Sequence, residues 1–361
     1  MASNLIAARK SGSNRGLARW LVYALFTALL IACTKAGPEQ RLDDYLTRLG
    51  NTLDTTIPSP TKPVIAKLPI PAQLRKPLPP GNLGALDFLA LSGCEVQITI
   101  GKRNSSLGIF ASDSQRLLLD LEYLQFAPAC IDHMHSTGKH AIAETLEAAA
   151  ALKRAQLPDR IFFATLGNIE FRDFWKKPPT LGTYPEQTSS AVLSALDAIA
   201  RLTQRWLGED YRADNLEFEI LLSEIAKGDG GALLLALTIQ QAGLDAANAA
   251  IRAKMAEGPL CSDHYRSDAA DILPNVVHKY FITGVQPWSA NIGRRSYELL
   301  PPVQRLEKLL ALALPNNYLA WQRERDQALT TLNAAPQQHV KVLKQLLAPC
   351  NGLPGQFKGV K

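Results

Sequence analysis

The 361-residue chain lacks the apolar run that a membrane-spanning helix needs. Its leading apolar stretch, Leu21 to Ile31, counts 11 residues, against about 20 for a span. The five cysteines form no C-x-x-C pair, so the close spacing of a structural zinc site is missing. Neither Ser105 nor Ser106 sits in a G-x-S-x-G elbow, which removes the pattern of a serine hydrolase. No fixed-period repeat marks a solenoid. An excess of positive charge is also largely missing. The formal charge is +6, but four basic residues precede residue 33 with no acidic one, which leaves +2 beyond it. A near-neutral body has no electrostatic footprint for nucleic acid.

What is present first is a leader. Arg9, Lys10, Arg15 and Arg19 precede the short apolar core, which ends in Leu30-Ile31-Ala32-Cys33. Positive flank, short core and small residue make a secretory signal over 1–32. A cysteine directly after the small residue resembles the lipobox of bacterial lipoproteins. That resemblance implies cleavage before Cys33, diacylation of its thiol and acylation of the new amino end. Each buried methylene contributes about 0.8 kcal/mol, so several chains on one residue hold firmly where one alone is marginal. Thr34 stands where such lipoproteins carry an inner-membrane retention aspartate, which favours the outer membrane facing the periplasm.

Export gives the other cysteines a role. Cys94, Cys130, Cys261 and Cys350 are even in number, and an oxidising compartment favours two disulfides with three pairings open. Cys94–Cys130 with Cys261–Cys350 keeps each loop within one region. Loops of that length are constrained by about 3–4 kcal/mol each. Four buried free thiols are the alternative.

Residues 33–54 form the anchor and a short helix, with Leu42, Tyr45, Leu46, Leu49 and Leu53 at helical spacing. Residues 55–81 are a proline-rich linker, too dense in proline for helix or central strand. It is either an extended spacer of roughly 80 Å, or a segment lying on the body through Val64, Ile65, Leu68 and Ile70. Residues 82–350 read as an all-α, irregular multi-helix bundle of about ten helices, followed by a tail at 351–361. Leu86, Leu89, Val96 and Ile100 make one stripe capped by Asn82, and Gly101 to Gly108 is a loop. Ser112 with Gln115 opens a helix to Phe126 that Pro128 stops. Another covers Ile142 to Leu157 and ends at Pro158. Thr183 with Glu186 opens one to Trp206 whose buried face is Val192, Leu196, Ile199, Thr203 and Trp206. Asp214 to Ile225 follows, then Ala232 to Ile239, divided at Gly243 from Asp245 to Glu257. Pro301-Pro302, Pro315, Pro336 and Pro349 punctuate the rest.

Gly93-Cys94, Arg103-Asn104-Ser105-Ser106-Leu107-Gly108, Ser114-Gln115-Arg116-Leu117 and Pro128-Ala129-Cys130 are similar to an uncharacterised family of proteobacterial lipoproteins, a domain of unknown function, over about Gln40 to Cys350. The resemblance implies an exported, lipid-anchored protein and supplies no activity or ligand.

Four features could carry chemistry. Arg103, Asn104, Ser105 and Ser106 offer an anion clamp, or else a turn in which Arg103 caps the preceding helix. Asp132, His133, His135 and His140 offer ligands without a visible complete metal set, or else a polar loop beside a disulfide. Gly228-Asp229-Gly230-Gly231 resembles a phosphate cradle but lacks the Gly-Lys-Ser/Thr ending. Trp175, Trp206, Trp288 and Trp321 could line a sugar groove, or fill the core. No catalytic constellation, metal site or cofactor motif is complete. The reading is a non-catalytic binding or structural lipoprotein, held to the membrane by its lipid and meeting another envelope protein or the cell wall. The alternative is a periplasmic hydrolase or metal-dependent enzyme using His133, His135 or the Arg103 loop. Intact-mass measurement of the native protein should show a start at Cys33 with acyl chains attached. An unprocessed start or a mature form without acyl groups contradicts the anchor.

Overall fold

The computed structural model describes residues 37–79, 88–89 and 91–350. The leader, Cys33, the expected cap Asn82 and the tail at 351–361 lie outside the described residues. The fold is all-α. Its one sheet among these residues is a two-residue antiparallel hairpin, β1 (Cys261–Ser262) with β2 (Tyr265–Arg266).

Helix α1 (Pro38–Leu53) begins on a proline in its first turn and buries Leu42, Tyr45, Leu46, Leu49 and Leu53. It belongs to the same core as the rest of the chain. The proline-rich stretch after it is therefore no spacer. It runs back over the body as a strap, with one helical turn, α2 (Pro71–Leu74), inside it. Ile65, Leu68 and Leu74 are buried, while Val64 points to solvent. Prolines cannot donate from the backbone, so side chains of the body fix the strap by its carbonyls. Trp321 Nε1 donates to Ala66 O at 3.3 Å, Asn317 Nδ2 to Gln73 O at 3.2 Å and Gln156 Nε2 to Pro79 O at 2.8 Å. Arg75 pairs with Asp113, and Lys76 Nζ lies 2.7 Å from Asp159 Oδ1.

Helix α3 (Glu95–Asn104) runs through the first half of the expected Gly101–Gly108 loop, and one turn, α4 (Ser106–Ile109), occupies most of the second. Ser112 caps α5 (Asp113–Ser136) by accepting from Gln115 N at 3.2 Å. Gln115 does not return the bond and reaches Asn215 and Glu219 instead. Pro128 lies inside α5, and Pro158 lies inside α6 (His140–Ala164). Neither ends its helix. A proline removes one backbone bond and costs roughly 3 kcal/mol, but these two helices pack along their lengths as a hairpin. That shared apolar surface outweighs the lost bond. The Cys94–Cys130 disulfide ties the start of α3 to the middle of α5.

Helix α7 (Ile169–Phe174) is short and capped by the Asn168 side chain. Helix α8 (Ala191–Leu207) buries the predicted face but starts later than Thr183, because Thr183 to Ser190 forms turns. Asp214 caps α9 (Asn215–Ala226). Helix α10 (Gly230–Glu257) passes unbroken through Gly243. That glycine marks a close approach, since a Cβ there would meet Leu42 of α1 at 2.6 Å. Helix α11 (Asp268–Val276), a π-helical stretch (Val277–Val285) and α12 (Gln286–Leu309) are continuous, with Pro301 and Pro302 inside α12. Helix α13 (Asn316–Leu347) holds Pro336 in its interior and packs along α10. The Cys261–Cys350 disulfide joins the hairpin to the turn that follows α13. Among the described residues, no helix is long and apolar enough to cross a membrane.

One buried polar link pins α1, α10 and α13 together. His339 is fully buried. Its Nδ1 lies 2.7 Å from Asn248 Oδ1 and its Nε2 lies 2.6 Å from the Tyr45 hydroxyl. The amide oxygen only accepts, so Nδ1 carries the proton and Nε2 accepts from Tyr45. Phe281 and Tyr45 pack their rings against the imidazole. Burial pushes its pKa down from 6.5 to about 3. A folded-state pKa below the unfolded one means that the unfolded chain binds the extra proton. Stability is then complete above pH 6.5 and falls as pH drops toward about 3. At about 1.4 kcal/mol per pH unit, about 2 kcal/mol should be lost from this group between pH 6.5 and 4.5. His339→Gln should flatten that part of the pH profile in urea unfolding. An unchanged slope would contradict the assignment.

Candidate functional site

The residues singled out in the sequence do not converge. Arg103 lies on α3, and its Nη1 reaches Asp120 of α5 at 3.3 Å. The anion in its grasp is therefore internal. Asp120 is buried and also meets Lys153 and Arg160. Ser105 caps the following turn by accepting from Gly108 N at 3.1 Å, while Asn104 and Ser106 are exposed. His133 and His135 sit some fifteen residues beyond Asp120 along α5, roughly 20 Å away at 1.5 Å per residue, and His140 opens α6. His135 lies 3.2 Å from His140 and 3.0 Å from Glu147, all exposed. Asp132 and His133 are exposed on the same helix. Among the described residues, no group of three or more His, Cys, Asp or Glu side chains could hold a metal ion.

The glycine turn is structural. Asp229 takes a two-pronged bond from Arg295, at 2.9 and 2.6 Å, and a third from the Tyr184 hydroxyl at 2.9 Å. Gly230 and Gly231 let α10 start hard against the chain after α7. A Cβ on Gly231 would meet Lys176 O at 2.0 Å. Trp206 and Trp288 fill separate parts of the core. Trp206 packs on Phe218, and Trp288 donates to Tyr184 O at 3.0 Å.

Trp175 and Trp321 do come together, with ring centroids 5.5 Å apart and edge to face. They form part of the floor of a cleft of about 330 Å³. The strap contributes Ile65, Ala66, Lys67 and Leu68, and α10 contributes Leu234. The end of α7 and the turn after it contribute Arg172, Asp173, Lys176 and Lys177. Four cationic side chains thus face one carboxylate. Among the described residues, none of Lys67, Arg172, Lys176 and Lys177 makes an ion pair with a carboxylate. Burial lowers the proton affinity of Lys177, and the Lys67 ammonium lowers it further. The cleft is an electropositive hollow with apolar walls, open to an anion. Lys67 escaped sequence analysis because it lies in the proline-rich stretch, far in sequence from Lys176.

The floor rests on a buried charge. Arg325 of α13 is fully buried, its guanidinium 5.3 Å from the Trp175 ring centroid and 4.8 Å from that of Trp321. Glu307 of α12 receives it at 2.6 and 3.0 Å. Tyr318 and Gln322 donate to the same carboxylate at 2.7 and 2.8 Å. Burial alone would lower the Arg325 pKa, but the hydrogen bonds and charge of Glu307 outweigh it and raise it. Burial, then Glu307, pushes the Tyr318 hydroxyl well up. Removing one partner strands the other, which costs about 3–5 kcal/mol in buried pairs. Arg325→Met and Glu307→Gln should each lose about that much in urea unfolding. The double variant should lose clearly less than the sum, and additive losses would contradict the pairing.

No curated protein and no solved structure matches the chain. One family does, over residues 42–354, and its description is "Protein of unknown function (DUF3080)". The match starts inside α1, takes in the strap, the cleft and both disulfides, and runs past α13. On that extent, the chain belongs to this family of unknown function.

Proposed function

We propose that this protein is a lipid-anchored, non-catalytic binding protein of the bacterial envelope, held through Cys33, whose body binds an anionic ligand in the Trp175–Trp321 cleft. The leader and its cysteine support the anchor, and Thr34 after it favours the outer membrane. Two disulfides in the body fit an oxidising compartment. The observation that carries the binding role is the cleft's set of cations, which have no carboxylate partner among the described residues. Several cations elsewhere in the body are held by carboxylates. Arg103, Lys153 and Arg160 share Asp120, Arg295 takes Asp229, and Arg325 takes Glu307. Like charges gathered without a counter-charge repel. A sequence gains nothing in stability from placing them around an apolar hollow, and a ligand is the simplest reason to keep them there.

The enzymatic alternative has less behind it. Arg103 and the histidines lie on different stretches of α5 and its neighbours, and among the described residues that line the cleft there is no pairing of nucleophile and base. The test is thermal unfolding of the full-length protein in detergent, with a panel of acidic sugars, phosphosugars and acidic peptides. At 100 times Kd, a bound ligand stabilises by about 2.7 kcal/mol, so at least one anion should raise Tm measurably. Lys176→Glu with Lys177→Glu should abolish that rise. No rise with any anion, or a rise that survives the charge reversal, would contradict the assignment.

A further inference from the structure

The cations of the cleft are mostly point charges rather than planar forks. Arginine's planar fork matches carboxylate and phosphate alike, whereas lysine is a point charge that can meet any of a phosphate's oxygens. Three of the four cations are lysines, Lys67, Lys176 and Lys177. They arrive on two separate segments, the strap and the turn after α7. Lys67 stands near enough to Lys177 for its charge to be felt there. Three lysines and Arg172 around one carboxylate, Asp173, leave an excess of positive charge that a dianion offsets better than a monoanion. A phosphomonoester carries about −1.5 to −2 at neutral pH and offers three acceptor oxygens. Beside the lysines, Ile65, Leu68 and Leu234 give an apolar wall on which the body bearing the phosphate can rest. The volume of about 330 Å³ is that of a small molecule or a headgroup, not of a polymer.

We propose that the cleft takes a phosphomonoester, its phosphate held by Lys67, Lys176 and Lys177 and its carrier against Ile65, Leu68 and Leu234. The proposal rests on the cleft being the ligand site, and the experiment separates the two. A soluble phosphosugar and a lipid headgroup share this chemistry, so both are offered.

The full-length protein in detergent is titrated with glucose 6-phosphate and with glucuronate, following the fluorescence of Trp175 and Trp321 and the heat of binding. Parallel titrations use micelles doped with phosphatidic acid or with phosphatidylcholine. Glucose 6-phosphate or phosphatidic acid should bind at least about tenfold tighter than glucuronate or phosphatidylcholine, the worth of one charge-assisted hydrogen bond. Whichever of the two binds identifies the source. Lys67→Ala and Lys177→Ala, both at exposed positions, should each weaken that binding about tenfold. Affinity should fall below about pH 6, where the phosphate gains its second proton. Glucuronate binding as tightly as glucose 6-phosphate would overturn the phosphate assignment while leaving the cleft as an anion site. Phosphate binding untouched by either substitution would place it elsewhere and overturn the proposal. No binding by any of the four would overturn both.

Discussion

A guanidinium with no access to water organises the middle of this molecule. Arg325 lies against Trp175 and Trp321 and closes on Glu307 with two hydrogen bonds. Burying a charge is costly unless its partner and all its hydrogen bonds come with it. Here Tyr318 and Gln322 complete the carboxylate, and Asp326 takes the remaining Nε–H at 2.9 Å. Satisfying that network fixes α12, α13 and the end of α7 against one another. The two indoles it positions are the floor of the cleft, and Trp321 Nε1 in turn holds the strap by Ala66 O. Floor and strap wall therefore depend on the same buried pair.

The strap connects this centre to the amino-terminal part of the chain. Helix α1 is pinned to α10 and α13 by the Tyr45–His339–Asn248 link. From Asp54 the chain returns over the body, buries Ile65, Leu68 and Leu74, and leaves Lys67 at the rim of the cleft. A segment with so many prolines has little conformational freedom to lose on docking. It therefore lies down against a surface at modest entropic cost.

Much of the fold was legible in the sequence. Helices with a clear apolar stripe and a polar cap, such as α8 over its buried face and α9 with Asp214, follow from periodicity and capping alone. Prolines misled. Pro128, Pro158, Pro301, Pro302 and Pro336 all read as stops, yet each lies inside a helix. The local cost of a proline is fixed, whereas the packing that outweighs it comes from partners distant in sequence. Gly243 misled in the same way, since its small size serves contact with Leu42 and not a break. Of the site, Trp175 and Trp321 stood out as aromatic candidates, but nothing local distinguishes them from Trp206 and Trp288. The cations were invisible as a group because Lys67 and Lys177 meet only after the strap folds back. The more conspicuous Arg103 and histidine stretches look functional because their partners, Asp120 and Glu147, are likewise separated from them in sequence.

The central claim is that the cleft lined by Trp175, Trp321 and the cations Lys67, Arg172, Lys176 and Lys177 is a binding site. A crystal structure of the protein with glucose 6-phosphate tests it most directly. The account predicts density for the phosphate within hydrogen-bonding distance of at least two of Lys67, Lys176 and Lys177. A cleft free of ligand while the phosphate sits on another surface would contradict it.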